Sequence, residues 1–281
     1  MKAAFFGPEA TFTDIAVQSV FPEASRVAYR TIPECLEAVK TKQVDMAVVP
    51  LENALEGSVN LTVDYLYHEE LPPIRAEIIV PIEQHFMVHP ANAGAWRETE
   101  KIISHSHALA QCHQFLRREF QHAEVEAMGS TAAAAKYVSE HPELKWGAVA
   151  NEMAAELYGL EIVRRAIHDY PFNHTRFIVL SNEELHIEKT PDFLKSTIMV
   201  TLPTDKAGSL HQVLSAFAWR KINLSKLESR PLKTGLGNYF FMIDLNHSLE
   251  EKLVRFSLEE IHALGCTVKE LGTYYRYMAD K

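Results

Sequence analysis

Short apolar runs stopped by turn residues, each followed by apolar residues at helical spacing, recur through the first two-thirds of this chain. That alternation restricts it to a sheet with parallel strands and helices packed on its faces. Ala3 to Phe6 stops at Gly7-Pro8 and gives way to a helical pattern from Thr11 to Val20. Arg26 to Thr31 reads as a strand, Pro33 to Lys40 as a helix with proline in its first turn, and Met46 to Val49 as a buried strand. A helix through Thr62 to Tyr67 follows, and Pro72-Pro73 closes the section. Ile74 to Pro81 and His85 to His89 read as extended segments crossing into a second lobe. There Lys101 to Ser104 precedes a helix from about His107 to Phe120, Glu124 to Met128 precedes one from Ser130 to Ser139, and Trp146 to Ala150 leads into Asn151 to Tyr158. Ile162 to Ile167 and Thr175 to Leu180 are expected as strands, with the chain back in the first lobe by then. Two crossings make a hinged cleft.

The rhythm then changes. Asn182 to Pro191 is charged and reads as a linker. Beyond it come a strand (Thr197 to Leu202), an amphipathic helix (Gly208 to Lys221), a strand (Asn223 to Pro231), a turn at Thr234 to Gly237, a strand (Asn238 to Asn246), a helix (Leu249 to Leu264) and a strand (Thr267 to Tyr274). The order βαββαβ is ferredoxin-like and predicts a separate small domain. The expected division is 1–182 for the two-lobed part, with one lobe over about 1–76 and 160–182 and the other over about 77–159, then a linker at 183–195 and a terminal domain at 196–281.

A chain of 281 residues with 47% hydrophobic content can bury a real core. Its 28 basic and 37 acidic side chains give a formal charge of -9, which argues against nonspecific binding to nucleic acid or an anionic membrane. Three widely spaced cysteines without a CxxC pair suggest neither a disulfide framework nor a zinc knuckle, and fit a reducing cytoplasm. The first residues carry too short an apolar run for a signal peptide, and no segment reaches the roughly 20 residues of a membrane span. HExxH, GxGxxG and GxxxxGK[ST] patterns are absent, so neither a metal nor a nucleotide is expected.

The polar residues of interest gather at strand ends. Asn173, Thr175 and Arg176 stand at the mouth of the Thr175 to Leu180 strand, with Thr175 and Phe177 on one face and Arg176 on the other. Thr11, Thr13, Ser58, Ser106, Ser130 and Thr131 open helices. Each alone is a routine N-cap. Together, at the carboxyl ends of parallel strands, such starts present free N–H groups to a small anion.

These residues resemble a known family. Gly7-Pro-Glu-Ala-Thr-Phe-Thr13, Val49-Pro-Leu-Glu-Asn53 with Gly57-Ser-Val59, Ser104-His105 with Ala108-Leu-Ala-Gln-Cys112, Ser130-Thr-Ala-Ala-Ala134 and Asn173-His-Thr-Arg-Phe177 look like the successive motifs of the prephenate dehydratases. The tail resembles the ACT regulatory domain of the same enzymes, with Gly208-Ser-Leu210 and Glu228-Ser-Arg-Pro231 in the positions of the two phenylalanine-binding motifs. The resemblance implies a catalytic part like the type II periplasmic binding proteins, conversion of prephenate to phenylpyruvate without a cofactor, inhibition by L-phenylalanine, and a homodimer or homotetramer. The chain begins at its first strand, so a monofunctional enzyme without a chorismate mutase segment is expected. The resemblance assigns catalysis to Thr175. Arg176 is expected to pair with a carboxylate or to brace the lobe, and Glu52 to be a proton source or a structural ion pair. Thr11, Asn53, Ser104, Ser130, Thr131, Asn173 and Phe177 are expected at the substrate. Gly208, Ser209, Leu210, Asn223, Leu224, Glu228, Ser229, Arg230 and Pro231 are expected at the effector, with an ion pair between Glu228 and Arg230 as the plain alternative. Two departures stand out: the family usually has glycine where Ala10 stands, and often Pro-Gln where Ser106-His107 stand. Ala10 implies a negative φ there. Arogenate dehydratase, or a two-lobed binding sensor without chemistry, are the alternative readings.

Overall fold

A computed structural model describes residues 1–204, 206–233 and 239–279; the expected turn at Thr234 to Gly237 lies outside them. In chain order the first lobe contributes β1 (Lys2–Phe6), α1 (Phe12–Val20), β2 (Ser25–Tyr29), α2 (Ile32–Lys40), β3 (Met46–Asn53), a two-residue β4 (Gly57–Ser58), α3 (Asn60–His68) and β5 (Ile74–Pro81). The second contains β6 (His85–Val88), a 3-10 turn (Pro90–Glu98), β7 (Lys101–His105), α4 (Ser106–Gln111), α5 (His113–Glu119), β8 (Glu124–Met128), α6 (Thr131–Glu140), β9 (Trp146–Ala150), α7 (Glu152–Tyr158) and β10 (Glu161–Arg164). β11 (His174–Leu180) returns to the first lobe. The C-terminal part is β12 (Leu194–Thr201), α8 (Ser209–Ala218), β13 (Leu224–Pro231), β14 (Tyr239–Leu245), α9 (Lys252–Ala263) and β15 (Thr267–Met278).

The second lobe's sheet runs β10-β6-β9-β7-β8, with β8, β7 and β9 parallel. Lobe membership shifts from the expected bounds: β5 stays in the first sheet through Pro81, while β10 belongs to the second. Two sheets with helices on their faces thus form the two lobes of an α/β arrangement. The single helix expected from His107 to Phe120 is broken at Cys112 (φ -113°, ψ 15°). The Gln111 carbonyl accepts the Asp169 N–H at 2.7 Å, and the Asp169 carboxylate accepts the Gln114 N–H at 3.3 Å. A loop therefore takes the bonds that would have continued the helix.

The C-terminal strands have the ferredoxin-like order β13-β14-β12-β15, yet the domain is not separate. β15 pairs parallel with β5, joining both parts in one sheet ordered β13-β14-β12-β15-β5-β11-β3-β1-β2. Met199, Phe240, Met242, Leu271 and Tyr274 pack into the same cluster as Leu36, Val49, Leu66 and Ile178 of the first lobe. The opposite face of the C-terminal strands is closed by α8 and α9 through Val213, Phe217, Leu258 and Ile261.

Ala10 has φ +60°, against the expected negative value. A left-handed alanine costs about 1–2 kcal/mol. It is held there by its N–H donating to Asp14 Oδ2 (2.8 Å) and its carbonyl accepting from Asn151 Nδ2 (2.9 Å) across the lobes. Its methyl group is buried in the second lobe's core.

Gly272 (φ +136°) pairs with Thr197 of β12 and lies close against the start of β5, where an added Cβ would lie 2.5 Å from the Ile74 carbonyl oxygen. Gly272→Ala should destabilise the whole chain by about 2 kcal/mol or more, seen as a melting temperature lowered by about 5 °C. An unchanged melting curve would mean that β15 and β5 do not meet.

Candidate active site

Strand β11 lies between β3 and β5, antiparallel to both. Strict alternation along β3 would put Asn53 on the face of Ala47, Val49 and Leu51, which pack toward the C-terminal domain. A register shift against β11 intervenes: Phe177 pairs with Pro50 and Arg176 with Glu52, leaving Leu51 extra. This bulge exchanges the two faces for the last residues of β3. Glu52 now stands beside Arg176 on the domain side, and Asn53 beside Thr175 on the cleft side.

On that side Asn53 Nδ2 donates to Thr175 Oγ1 at 2.9 Å and to Asn173 Oδ1 at 3.0 Å, while Asn53 Oδ1 accepts the N–H groups of Leu55 and Glu56 at 3.0 and 3.1 Å. Asn173 Nδ2 in turn donates to Gln111 Oε1 at 3.0 Å, and Gln111 Nε2 reaches Glu56 Oε1 at 3.5 Å. Gln111 belongs to the second lobe, so a chain of neutral donors and acceptors crosses the cleft from Gln111 to Thr175. Thr175, Asn173 and Gln111 are buried. The Thr175 hydroxyl accepts one bond and has no protein acceptor for its own hydrogen among the described residues.

Residues 3–185 match the family model described as prephenate dehydratase. The chain is 55% identical over 283 residues to the prephenate dehydratase of Bacillus subtilis (strain 168), covering 99% of each chain. The chain belongs to the prephenate dehydratase family. A solved prephenate dehydratase of Arthrobacter aurescens, in complex with L-Phe, superimposes with a TM-score of 0.87 at 32% identity, over 98% of this chain and 89% of that one. A second structure, GqqA, described as a novel type of quorum quenching acylase, superimposes with a TM-score of 0.85 at 25% identity, over 99% and 98% of the two chains. Shape at this level is shared by different chemistries, so side chains must carry the functional argument.

Several residues expected at the substrate have other employment. Ser104 is fully buried and its hydroxyl donates to the Val149 carbonyl at 2.5 Å, tying β7 to β9. Phe177 is 2% exposed and packs with Phe5, Val17 and Val48 in the first-lobe core. Thr11 and Ser130 cap α1 and α6, accepting the N–H groups of Asp14 (3.4 Å) and Ala133 (3.0 Å), and Thr131 follows as a buried first-turn residue. Arg176 points away from the cleft: it pairs with Asp244 Oδ2 at 2.6 Å and with Glu77. Glu52 pairs with Lys226 at 2.7 Å and with Arg176 at 3.5 Å, on the same side. Glu52 is thus held by two cations on the face opposite Asn53 and Thr175. Cys112, beside Gln111, is buried, and burial pushes its thiol up to about 12, so it is not a nucleophile near neutral pH.

The effector set divides. Lys226, Glu228 and Arg230 of β13 face the first lobe, whereas Leu227, Ser229 and Pro231 face outward and are exposed. Glu228 and Arg230 do not pair with each other. Glu228 accepts from the Ser58 hydroxyl, and Arg230 donates to Asn60 Oδ1 (2.7 Å) and Asp64 Oδ1 (3.0 Å) at the start of α3. Burial would raise the Asp64 carboxyl, but Lys233 and Arg230 hold it below the usual range. Gly208 (φ +89°), Ser209 and Leu210 open α8, and Asn223 and Leu224 enter β13. Gln111 and Lys226 were not legible as site residues beforehand. Gln111 lies in the Ala108 to Cys112 motif, but only the fold brings it to Asn173. Among the described residues no helix is long and apolar enough to cross a membrane, and no cluster of His, Cys, Asp and Glu could hold a metal ion.

Ser104→Ala should cost about 1 kcal/mol of stability by removing a buried hydrogen bond to β9, with KM for substrate unchanged. A large rise in KM without a stability loss would return Ser104 to the cleft.

Proposed function

We propose that this chain converts prephenate to phenylpyruvate, releasing water and carbon dioxide. The observation that carries the reading is the Asn53–Thr175 pair. In this reaction the bond from the ring to its carboxylate breaks, and the electron pair moves into the ring as carbon dioxide departs. The ring carbon–oxygen bond breaks on the far side, and the departing hydroxyl takes up a proton and leaves as water. Aromatisation drives the process, so the protein has to help the hydroxyl leave.

A hydroxyl that accepts a hydrogen bond donates its own more strongly. Thr175 accepts from Asn53 and keeps its hydrogen for a ligand. Threonine is too weak an acid to transfer a proton unaided, so its contribution is a polarised hydrogen bond to the leaving oxygen in a cleft with little water. Asn173 and Gln111 fix Asn53 from behind. With Arg176 engaged by Asp244 and Glu77, the substrate carboxylates fall to neutral donors and to free N–H groups at the starts of α1 and α6.

L-Phenylalanine is the proposed effector, in keeping with the Arthrobacter relative. The proposed site draws on the outer side of β13, with Leu227 and Ser229, and on the start of α8, Gly208 to Leu210, of the same or a second copy. β13 is an edge strand among the described residues, and a second copy of the chain can pair with it or pack there. A homodimer or homotetramer acting in the cytoplasm follows from this reading, without a metal, cofactor, nucleic acid or membrane partner.

Phenylpyruvate formation from prephenate, with arogenate as comparison, tests the activity. The wild-type chain should turn over prephenate without added cofactor, and L-phenylalanine should slow it. Thr175→Val keeps the shape and removes the hydroxyl, so kcat should fall about 100-fold or more, while prephenate still binds within several-fold of wild type by calorimetry. A Thr175→Val enzyme with near-normal kcat would remove Thr175 from the mechanism.

A further inference from the structure

The two residues of the proposed catalytic pair each have a neighbour on the other face of the sheet. Glu52 and Arg176 stand opposite one another behind Asn53 and Thr175, and both are gripped by the C-terminal domain. Arg176 reaches Asp244 Oδ2 at 2.6 Å, the Tyr274 hydroxyl at 3.1 Å, Glu77 of β5 and, at 3.5 Å, Glu52. Lys195 lies 3.3 Å from Glu77 and 3.4 Å from Asp244, and Thr197 donates to Asp244 Oδ1 at 2.7 Å. Lys226 lies 2.7 Å from Glu52 Oε1 and donates to Ser58 at 3.0 Å.

Four charges at the centre, Arg176, Lys195, Glu77 and Asp244, have side chains 9% exposed or less, and their signs cancel. Burial works against ionisation of both Arg176 and Asp244, and their mutual attraction keeps them charged: Asp244 is held below the usual carboxylate range and Arg176 above its own. Such a cluster is a poor device for stability, since apolar side chains of similar volume dock two surfaces at least as well. An apolar contact already surrounds it, through Met199, Phe240, Met242 and Leu271. What buried ion pairs add is a fixed geometry, and this one is fixed immediately behind the cleft.

We infer that Glu52 and Arg176 are positioning residues through which the C-terminal domain, by Lys226 and Asp244, sets the alignment of Asn53 with Thr175 and passes the state of the effector site to it. This rests on the reading of Thr175 and of L-phenylalanine given above. Lys226 lies on β13, one residue from Leu227 and on the opposite side of the strand from it. A ligand that moves β13 from its outer face therefore moves Lys226, and with it Glu52. A cavity of about 260 Å³, lined by Glu52, Glu77, Arg176, Lys195, Lys226 and Asp244, gives the ionic groups room to shift without collision. The backbone offers a parallel route, because β5 alone separates β15 from β11.

The test uses the full-length chain with Lys226→Met, which keeps an apolar stem without the charge, and Arg176→Lys, which keeps the charge without the planar fork. Steady-state turnover of prephenate, calorimetric binding of L-phenylalanine and thermal unfolding are measured on each. In both variants kcat should fall about ten- to hundred-fold, with KM within about threefold of wild type. L-Phenylalanine should still bind Lys226→Met, but its maximal inhibition of the remaining turnover should drop by about half or more. Lys226→Arg should recover most of both. If Arg176→Lys does not fold, the Lys226 pair of variants decides the matter. Wild-type kcat and a wild-type inhibition curve in folded Lys226→Met would overturn the inference, as would a kcat that falls only in step with the unfolded fraction. A wild-type chain inert toward prephenate would instead overturn the functional reading.

Discussion

Consecutive residues of a strand in the middle of a sheet must serve opposite faces, and β11 is such a strand, enclosed by β3 and β5. Thr175 therefore belongs to the cleft and Arg176 to the C-terminal domain, one peptide bond apart. Neither can shift far without the other. The bulge at Leu51 repeats the arrangement in β3, so that the Asn53–Thr175 and Glu52–Arg176 pairs lie back to back. Cleft chemistry and domain docking share two strands.

The domain junction reflects that sharing. Met199, Phe240, Met242 and Leu271 give it an apolar part that contributes the usual burial free energy, about 25 cal/mol per Å² removed from water. Its centre is charged, which costs desolvation and is offset only because Arg176, Lys195, Glu77 and Asp244 satisfy one another. Along the rim, Ser58, Asn60 and Asp64 receive Glu228 and Arg230, so the strand expected to meet an effector is also a docking strand. Its alternate residues look outward to a ligand and inward to the catalytic lobe.

The left-handed Ala10 illustrates how a local rule yields to tertiary context. Asp14 satisfies its N–H and Asn151 its carbonyl, and together these bonds hold an alanine where glycine would sit without strain. Because Asn151 begins α7 of the second lobe, the same turn helps to fix how the lobes meet.

The sequence by itself determined the alternation of strands and helices, the ferredoxin-like order of the tail and the family, since periodicity, turn residues and motif order are local properties of the chain. Asn173 and Thr175 were legible together at one strand mouth for the same reason, with Arg176 beside them, whereas Asn53 came only through the family's motifs. Tertiary structure decided which face each residue serves. One extra residue in β3 reversed Glu52 and Asn53; burial turned Ser104 and Phe177 into packing residues; Gln111 entered the site through contacts distant in sequence. The union of both parts in one sheet, and the destination of Arg176, depend on pairing between β15 and β5 and on charges from β12 and β14. Such pairings are set by the global packing of separate segments, and no local pattern encodes them.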